Sequence, residues 1–543
     1  MLTRGCFPVI LAATCQRKSH SFPMNKPGIF TSENGKSLLV PFALVSSLFF
    51  LWGFCNGMID VMDKHFQKEL GLTLAQSAWV QFAHYLGYFL MAMPAGWLAS
   101  KLGYKGGIIA GLLMVSVGGF WFIEATKIAE FWAFLLGVCM IASGLTFLET
   151  VANPYSTVLG PKQFSATRIN LAQSCNGIGW FLGPQVGSKY FYGTDAAGQS
   201  TGAETLWIPY VAIAVVVLIL AFLFFVTHLP DIKSQDEFHV EDTDAAALTL
   251  PVSNRGAALT LLWMNIAVLS VAIGMIFSAI VAIPSVGAQL GMTENEALLY
   301  ASLILLAIGS MVFFAKKSNI TNRSLWSHPH FSGATLTQFF YVAAQCGIFA
   351  YFINYMTSQI PAVPDSWKAG SFSAWFEVHK NGLMGLSDNG ASKLASVGFL
   401  CFLAGRFIGA SLMKKYPAHK ILAIFATCAA LCSVLVFFKL GWVSAGALFL
   451  SYFFMSIMFP TIFSLGIHGL GAKAKKASSF IVMAIMGGAI MPKLMGHIGD
   501  VRGMSFAFIV PFACFLWIIG YGLFWSKLSG SDGVIGVDAT KGH

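Results

Sequence analysis

The chain has 543 residues, 56% of them hydrophobic and only 10% charged, with a mean hydropathy of +0.71. A soluble chain of this length cannot hide so much apolar surface, so lipid must solvate much of it. The formal charge of +10 does not call for a nucleic-acid partner, because the basic residues sit in short clusters between apolar runs, as membrane topology requires.

Residues 1–37 hold a short apolar patch, Cys6 to Cys15, that follows Arg4 and lacks a small-residue cleavage site; a second methionine stands at Met24. They read as a cytoplasmic tail or as sequence upstream of the true start. Apolar runs of about 20 residues then suit membrane-spanning helices. Six fall at 39–66, 77–100, 106–126, 131–158, 168–190 and 206–228, within an N-terminal half of residues 38–229. The polar stretch Pro230 to Asp244 has no apolar periodicity and reads as a solvated linker. Runs at 257–284 and 296–315 form an inserted hairpin within residues 230–330. Six more, at 332–355, 391–413, 420–439, 443–466, 477–498 and 505–526, make a C-terminal half of residues 331–527, and residues 528–543 are a second cytoplasmic tail. The expected fold is an all-α polytopic membrane protein of about 14 spans, twelve in two six-helix halves plus the hairpin.

Charge orients these spans. Alternate loops carry Lys101 and Lys105, Lys162 and Arg168, Lys316, Lys317 and Arg323, Lys414, Lys415 and Lys420, then Lys473, Lys475 and Lys476. Loops rich in Lys and Arg face the cytoplasm, so both termini are expected there. Lys64, Lys68, Lys368 and Lys380 are exceptions on the outer side, where Trp367, Trp375 and Phe376 suit an interfacial aromatic belt. The halves echo each other: Gly96, Lys101, Gly103 and Lys105 end the second span, and Gly405 and Arg406 lie near the end of its counterpart. We assign these six residues to an inner-gate motif.

An ionisable group at the membrane centre costs about 2.5–3.5 kcal/mol on insertion scales and asks for an explanation. Asp60 and Glu149 stand out within apolar runs. A buried carboxylate holds a proton more readily and releases it when water enters, so it can couple a proton to a conformational change. Ionised, it also accepts hydrogen bonds from sugar hydroxyls. A water-facing helix end competes for Asp60: about 21 residues at 1.5 Å each separate it from Leu39, and Asp63 with Lys64 then marks the outer end. Pro154 follows Glu149, but the apolar Tyr155–Leu159 stretch favours a helix that continues.

Amides form the second group: Asn56, Gln173, Asn176, Gln338, Gln345 and Asn354. They both donate and accept, which suits a polyhydroxylated ligand, and interhelical hydrogen bonding is the competing role. Tyr85, Tyr88, Trp180 and Tyr341 can stack on a sugar ring or simply pack. His84 reads as a core histidine more than a proton relay, and Arg406 and Lys493 read as structural cations that snorkel to nearby surfaces. No cysteine pair has CxxC spacing, so neither a metal site nor a disulfide is expected. No HExxH motif or phosphate-binding glycine loop favours an enzyme, and no output domain favours a sensor.

Several motifs occur together: Gln81-Phe-Ala-His-Tyr-Leu-Gly-Tyr88, Leu148-Glu149-Thr150 with Ala152-Asn-Pro154, Asn170-Leu-Ala-Gln173-Ser, Tyr341-Val-Ala-Ala-Gln345 and Ser456-Ile-Met-Phe-Pro-Thr-Ile-Phe463. In this combination the sequence resembles the fucose:proton symporter family of the major facilitator superfamily over residues 39–228 and 332–526. The resemblance implies alternating access and proton-coupled uptake of a monosaccharide, with sodium as the alternative coupling ion. It implies that Asp60 and Glu149 are the paired carboxylates of the sugar and proton site. It further implies a monomer in a bacterial inner membrane, with no bound cofactor besides the coupling proton. Three departures stand out. Ile59 replaces the Asn that usually precedes the first acid, Ser100 stands where the inner-loop motif has Asp, and residues 232–330 have no counterpart.

Overall fold

The computed structural model describes residues 30, 37–159, 165–192, 205–227, 229, 254–282, 284–320, 324–364, 375–379, 382–413, 416–468, 470 and 474–530. The polar linker, residues 1–29 of the first tail and 531–543 of the second lie outside them. So do Lys162, Arg323, Lys368, Lys380, Lys414, Lys415, Lys473 and Trp367, and the side chains of Ser100, Lys475 and Lys476.

Helix α1 runs from Leu39–Glu69, 31 residues. At 1.5 Å per residue it is roughly 46 Å long, well beyond the ~30 Å hydrocarbon layer. Asp60 and Asp63 are therefore both interior to it. Asp63 does not mark a wetted end as expected: it is 0% exposed. Helix α2, Leu74–Ser77, follows with a Thr73–Gln76 capping box. Helix α3 (Trp79–Ile128) merges two predicted spans, broken at Gly103, whose φ of 71° only glycine adopts without strain. Helices α4 (Phe131–Val158), α5 (Ser165–Phe191) and α6 (Trp207–Val226) complete the first half, α4 continuing through Pro154.

The inserted pair is α7 (Arg255–Val281) and α9 (Glu294–Lys316), joined by the short α8, Pro284–Leu290. The second half opens with α10 (Pro329–Ala350) and α11 (Phe352–Ser358), which meet at 43°. A two-stranded hairpin, Phe376–Val378 with Met384–Leu386, precedes α12 (Asp388–Met413) and α13 (Ala418–Phe437). Then come α14 (Trp442–Met455) with α15 (Met458–Ile467), α16 (Ala474–Met483) with α17 (Gly487–Arg502), and α18 (Met504–Ala507) with α19 (Ile509–Ser529). Among the described residues, 11 helices are long and apolar enough to cross a membrane, or 12 with the bent α10–α11 pair. The expected 14 is not reached on this measure. Helix α5 falls short because Arg168, Gln173, Asn176 and Lys189 lower its apolarity.

Glycines set the closest approaches. Gly53 and Gly57 of α1 face Gly179 and Gly183 of α5 as paired GxxxG stripes. A Cβ on Gly53 would stand 2.1 Å from the Asn176 carbonyl oxygen, and one on Gly179 would stand 2.3 Å from that of Phe50. The halves pack through α5 against α12, where Trp180 meets Phe399 at 4.7 Å between ring centroids, and through α3 against α17.

We call the end of the bundle where α1 begins proximal and the end where it finishes distal. At the distal end the halves are tied together. The Asp500 carboxylate accepts from the backbone N–H groups of Leu74 and Ala75, both at 2.9 Å. Tyr351 donates to the Leu74 carbonyl at 2.9 Å, Asn354 Nδ2 to Gln67 Oε1 at 2.5 Å, and Lys64 lies 3.8 Å from Asp388.

Lys493 of α17 departs from expectation. It does not snorkel but pairs with Glu294 of the inserted hairpin at 3.0 Å and lies 3.5 Å above the Trp79 ring. Two elements far apart in sequence thus neutralise one cation near the membrane surface. We expect Glu294→Ala to destabilise the folded protein by about 1–3 kcal/mol, since it leaves a desolvated ammonium without its counter-charge. Lys493→Met with Glu294→Gln should recover most of that loss. Thermal unfolding in detergent checks both.

Candidate functional site

Helix α1 aligns Trp52, Asn56 and Asp60 at successive i, i+4 positions, hence on one face. Helix α3 presents Gln81, Tyr85 and Tyr88 opposite them at the same kind of spacing. Asp60 is buried and accepts a hydrogen bond from Gln81 Nε2 at 2.8 Å. Trp52 Nε1 donates to the Tyr88 hydroxyl, and Asn56 Nδ2 donates to the Trp52 carbonyl at 2.7 Å. Trp52 also lines a pocket together with Glu149 of α4.

Each carboxylate lines its own pocket. The first, with about 10 Å³ of free space, is bounded by Leu48, Phe49, Trp52, Leu148, Glu149, Ala152 and Gln173. The second, with about 10 Å³ of free space in this closed arrangement, is bounded by Asn56, Ile59, Asp60, Gln81, Tyr85, Trp180, Cys346 and Phe349. The second lies between the halves, and Cys346 Sγ donates to the Tyr85 hydroxyl at 2.8 Å across it. Its far wall is aromatic: Phe349 stacks on Tyr452 at 4.4 Å and meets Phe399 edge-on at 5.1 Å. Ile59, the departure noted in the sequence, faces this pocket as an apolar surface. One carboxylate, two amides and a phenol on one wall with aromatic rings on the other can grip, once the halves part, a small ligand that has both hydroxyl groups and an apolar face.

The remaining amides divide. Asn56 and Gln173 line the pockets; the others do not. Asn176 is buried and donates to the Phe49 carbonyl at 3.2 Å, which pins α5 to α1. Asn354 serves the distal tie described above. Gln338 is fully buried in α10 with neither amide atom hydrogen-bonded, and Gln345 is half-buried beside Cys346. His84 packs against Tyr85 and Tyr88 at 4.9 and 5.1 Å.

The six residues expected to form an inner gate take structural positions toward the proximal end. Lys105 caps the end of α6, donating to the carbonyls of Phe225 and Thr227 at 2.8 and 3.0 Å. Lys101 lies 4.2 Å above the Trp97 ring, Gly96 is exposed, and Gly103 makes the break in α3. Gly405 lets α12 approach the Phe453 carbonyl. Arg406 lies 5.2 Å above the Phe402 ring; Lys414 and Lys415, toward which it was expected to reach, lie outside the described residues. Sequence reasoning missed Trp52 and Gln81 as site residues, though Trp52 shares the four-residue spacing of Asn56 and Asp60. The aromatic wall carried no usable signal in a chain with 14% aromatics.

Residues 42–356 match the Major Facilitator Superfamily model. The L-fucose-proton symporter of Escherichia coli is 31% identical, the match covering 91% of this chain and 94% of the relative. The chain belongs to this family. A glucose/galactose transporter of Brucella abortus is 27% identical over 93% of this chain and 99% of its own length. The crystal structure of FucP, a major facilitator transporter, in the outward conformation superposes with a TM-score of 0.56 at 30% identity, covering 90% of this chain and 99% of that one. The family consists of transporters and not enzymes, and the chain is a multi-pass membrane protein of that fold.

Proposed function

We propose that this chain carries a monosaccharide of the hexose class into the cell together with a proton, by alternating access. The observation that carries this reading is the pair of carboxylates, Asp60 and Glu149, both on helices of the first half and each lining a pocket, with Asn56 beside the first and Trp52 beside the second. The names of the relatives, a fucose-proton symporter and a glucose/galactose transporter, support sugar as the cargo. Asp60, Asn56 and Gln81 accept from and donate to sugar hydroxyls, while Trp180 and Phe349 cover the ring's C–H face. Glu149 takes the proton, and its exchange with water changes the charge of the site as the halves rock.

The proximal end is the cytoplasmic one in this reading, since Lys101, Lys105, Lys316, Lys317 and Lys420 gather there. The distal tie then closes the path to the outside, opposite to the outward conformation of FucP. One chain contains both pockets, so a monomer in a bacterial inner membrane suffices. Each proton driven inward gains about 2.3 kcal/mol per 100 mV, enough to concentrate a neutral sugar well over tenfold.

Proton movement in de-energised cells expressing the chain tests the proposal, with fucose, galactose, glucose, mannose and N-acetylglucosamine added singly. We expect the medium to turn alkaline with one of them. Silence with all five, the protein being present in the membrane, would overturn proton coupling of a hexose and favour sodium.

A further inference from the structure

Asp63 stands one helical turn beyond Asp60, and nothing in the sugar and proton reading uses it. It is wholly buried where the two halves meet at the distal end. Its Oδ1 accepts a long 3.4 Å bond from Gln67 Nε2, the Ser77 hydroxyl beside it donates to the Leu74 carbonyl, and its Oδ2 has no hydrogen-bond partner. Gln67 is the hinge of the distal tie: the same Nε2 donates to Ser77 Oγ at 2.8 Å, and Oε1 accepts from Asn354 of the other half. An anion placed here would be buried away from water, with one long donor bond and one oxygen left unpaired.

The surrounding charges do not relieve it. Asp60 precedes it on α1 and repels it. Lys64 follows it, but that ammonium is shared with Asp388 of α12. The nearby phenols are engaged elsewhere, Tyr192 donating to the Val61 carbonyl and Tyr351 to those of Leu74 and Pro492, while Asp500 holds the start of α2. His65 turns instead toward Phe66, Phe191 and Tyr192. Separating the halves would break the Lys64–Asp388 and Gln67–Asn354 contacts, release Lys64 to its neighbour and admit water to Asp63.

We infer that Asp63 is a second proton-binding site, belonging to the distal gate: it is neutral when the halves are closed there and ionised when they part. As the gate closes, an O–H bond forms at Asp63 with a proton taken from the distal aqueous phase; as it opens, the proton returns to that phase. This proton does not cross the membrane and is additional to the one assigned to Glu149. The closed state binds one more proton than the open state. Lowering the pH therefore favours closure, and the closed-to-open ratio changes by up to about tenfold per pH unit.

Electron–electron distance measurements on the full-length protein in nanodiscs, without sugar, test this. Spin labels at Leu70→Cys and Phe506→Cys, both exposed positions at the distal end, report the gate in a background whose native cysteines are replaced. Between about pH 9 and about pH 5 the short-distance population should grow at the expense of the long one. Asp63→Asn and Asp63→Leu should each hold the short distance at every pH, and Asp63→Glu should keep a pH response. The inference is overturned if the wild-type distances ignore pH, or if either neutral variant responds as the wild type does. It is equally overturned if Asp60→Asn alone removes the response, or if sodium at constant pH moves the gate. No sugar enters this experiment, so its failure is separable from failure of the transport reading.

Discussion

Replacing Glu149 by glutamine is expected to abolish proton-driven sugar accumulation while sparing sugar exchange. Glutamine keeps the size of the side chain and its ability to hydrogen-bond, but it cannot bind and release a proton. Glu149 lines a pocket with Trp52 and Gln173, and the Trp52–Tyr88 hydrogen bond does not involve it, so that contact persists in the variant. With one proton per sugar, about 2.3 kcal/mol at 100 mV corresponds to a gradient of roughly fiftyfold. Proteoliposomes carrying Glu149→Gln should fall to a ratio near one, yet still exchange internal for external labelled sugar. Undiminished accumulation would remove Glu149 from coupling. Asp60→Asn should behave differently: because Asp60 faces the pocket between the halves and holds Gln81, it should weaken sugar binding as well.

The second large effect concerns the α1–α5 seam. Gly53→Val should abolish most folded protein, because even its Cβ would stand 2.1 Å from the Asn176 carbonyl oxygen. That neighbour is backbone and cannot rotate away, so helix α5 itself must move. Overpacking a well-filled core costs about 1–3 kcal/mol when side chains can yield, and a rigid backbone contact should cost more. Gly179→Val should act alike through the Phe50 carbonyl, whereas Gly446→Ala and Gly520→Ala, with nothing within 4 Å, should be harmless. The yield of monodisperse protein after detergent extraction separates the two classes. Equal yields would mean that the seam is looser than its geometry.

Much of this architecture was legible in the sequence because lipid imposes a simple rule. A spanning helix must satisfy its own backbone and present apolar side chains, so apolar runs and basic loops mark spans directly. The α4 boundaries were read at 131–158, where the helix lies, since nothing competes with that signal. The break between the second and third spans, read at 77–100 and 106–126, was legible too, and Gly103 with its left-handed φ makes it. Asp60 and Glu149 were legible as charges out of place. Asp63 was misread because its neighbour Lys64 suggested a wetted helix end, and only the length of α1 and the partner half reveal its burial. The fate of Lys493 depended on a long-range partner, Glu294, whose proximity no local spacing encodes.

The tie between Asp500 and the start of α2 bears on reversibility. Its two bonds join a carboxylate of one half to backbone N–H groups of the other, at 2.9 Å each. Both partners lie at the end of the bundle, where solvent can take over either role once they separate. Net gains from such bonds are small, about 0.5–1.5 kcal/mol each, or about 1.5–3 to a charged group. A seal made this way discriminates between closed and open arrangements without trapping either. A transporter that must pass through both in every cycle gains more turnover from such a weak, renewable lock than from a permanent one.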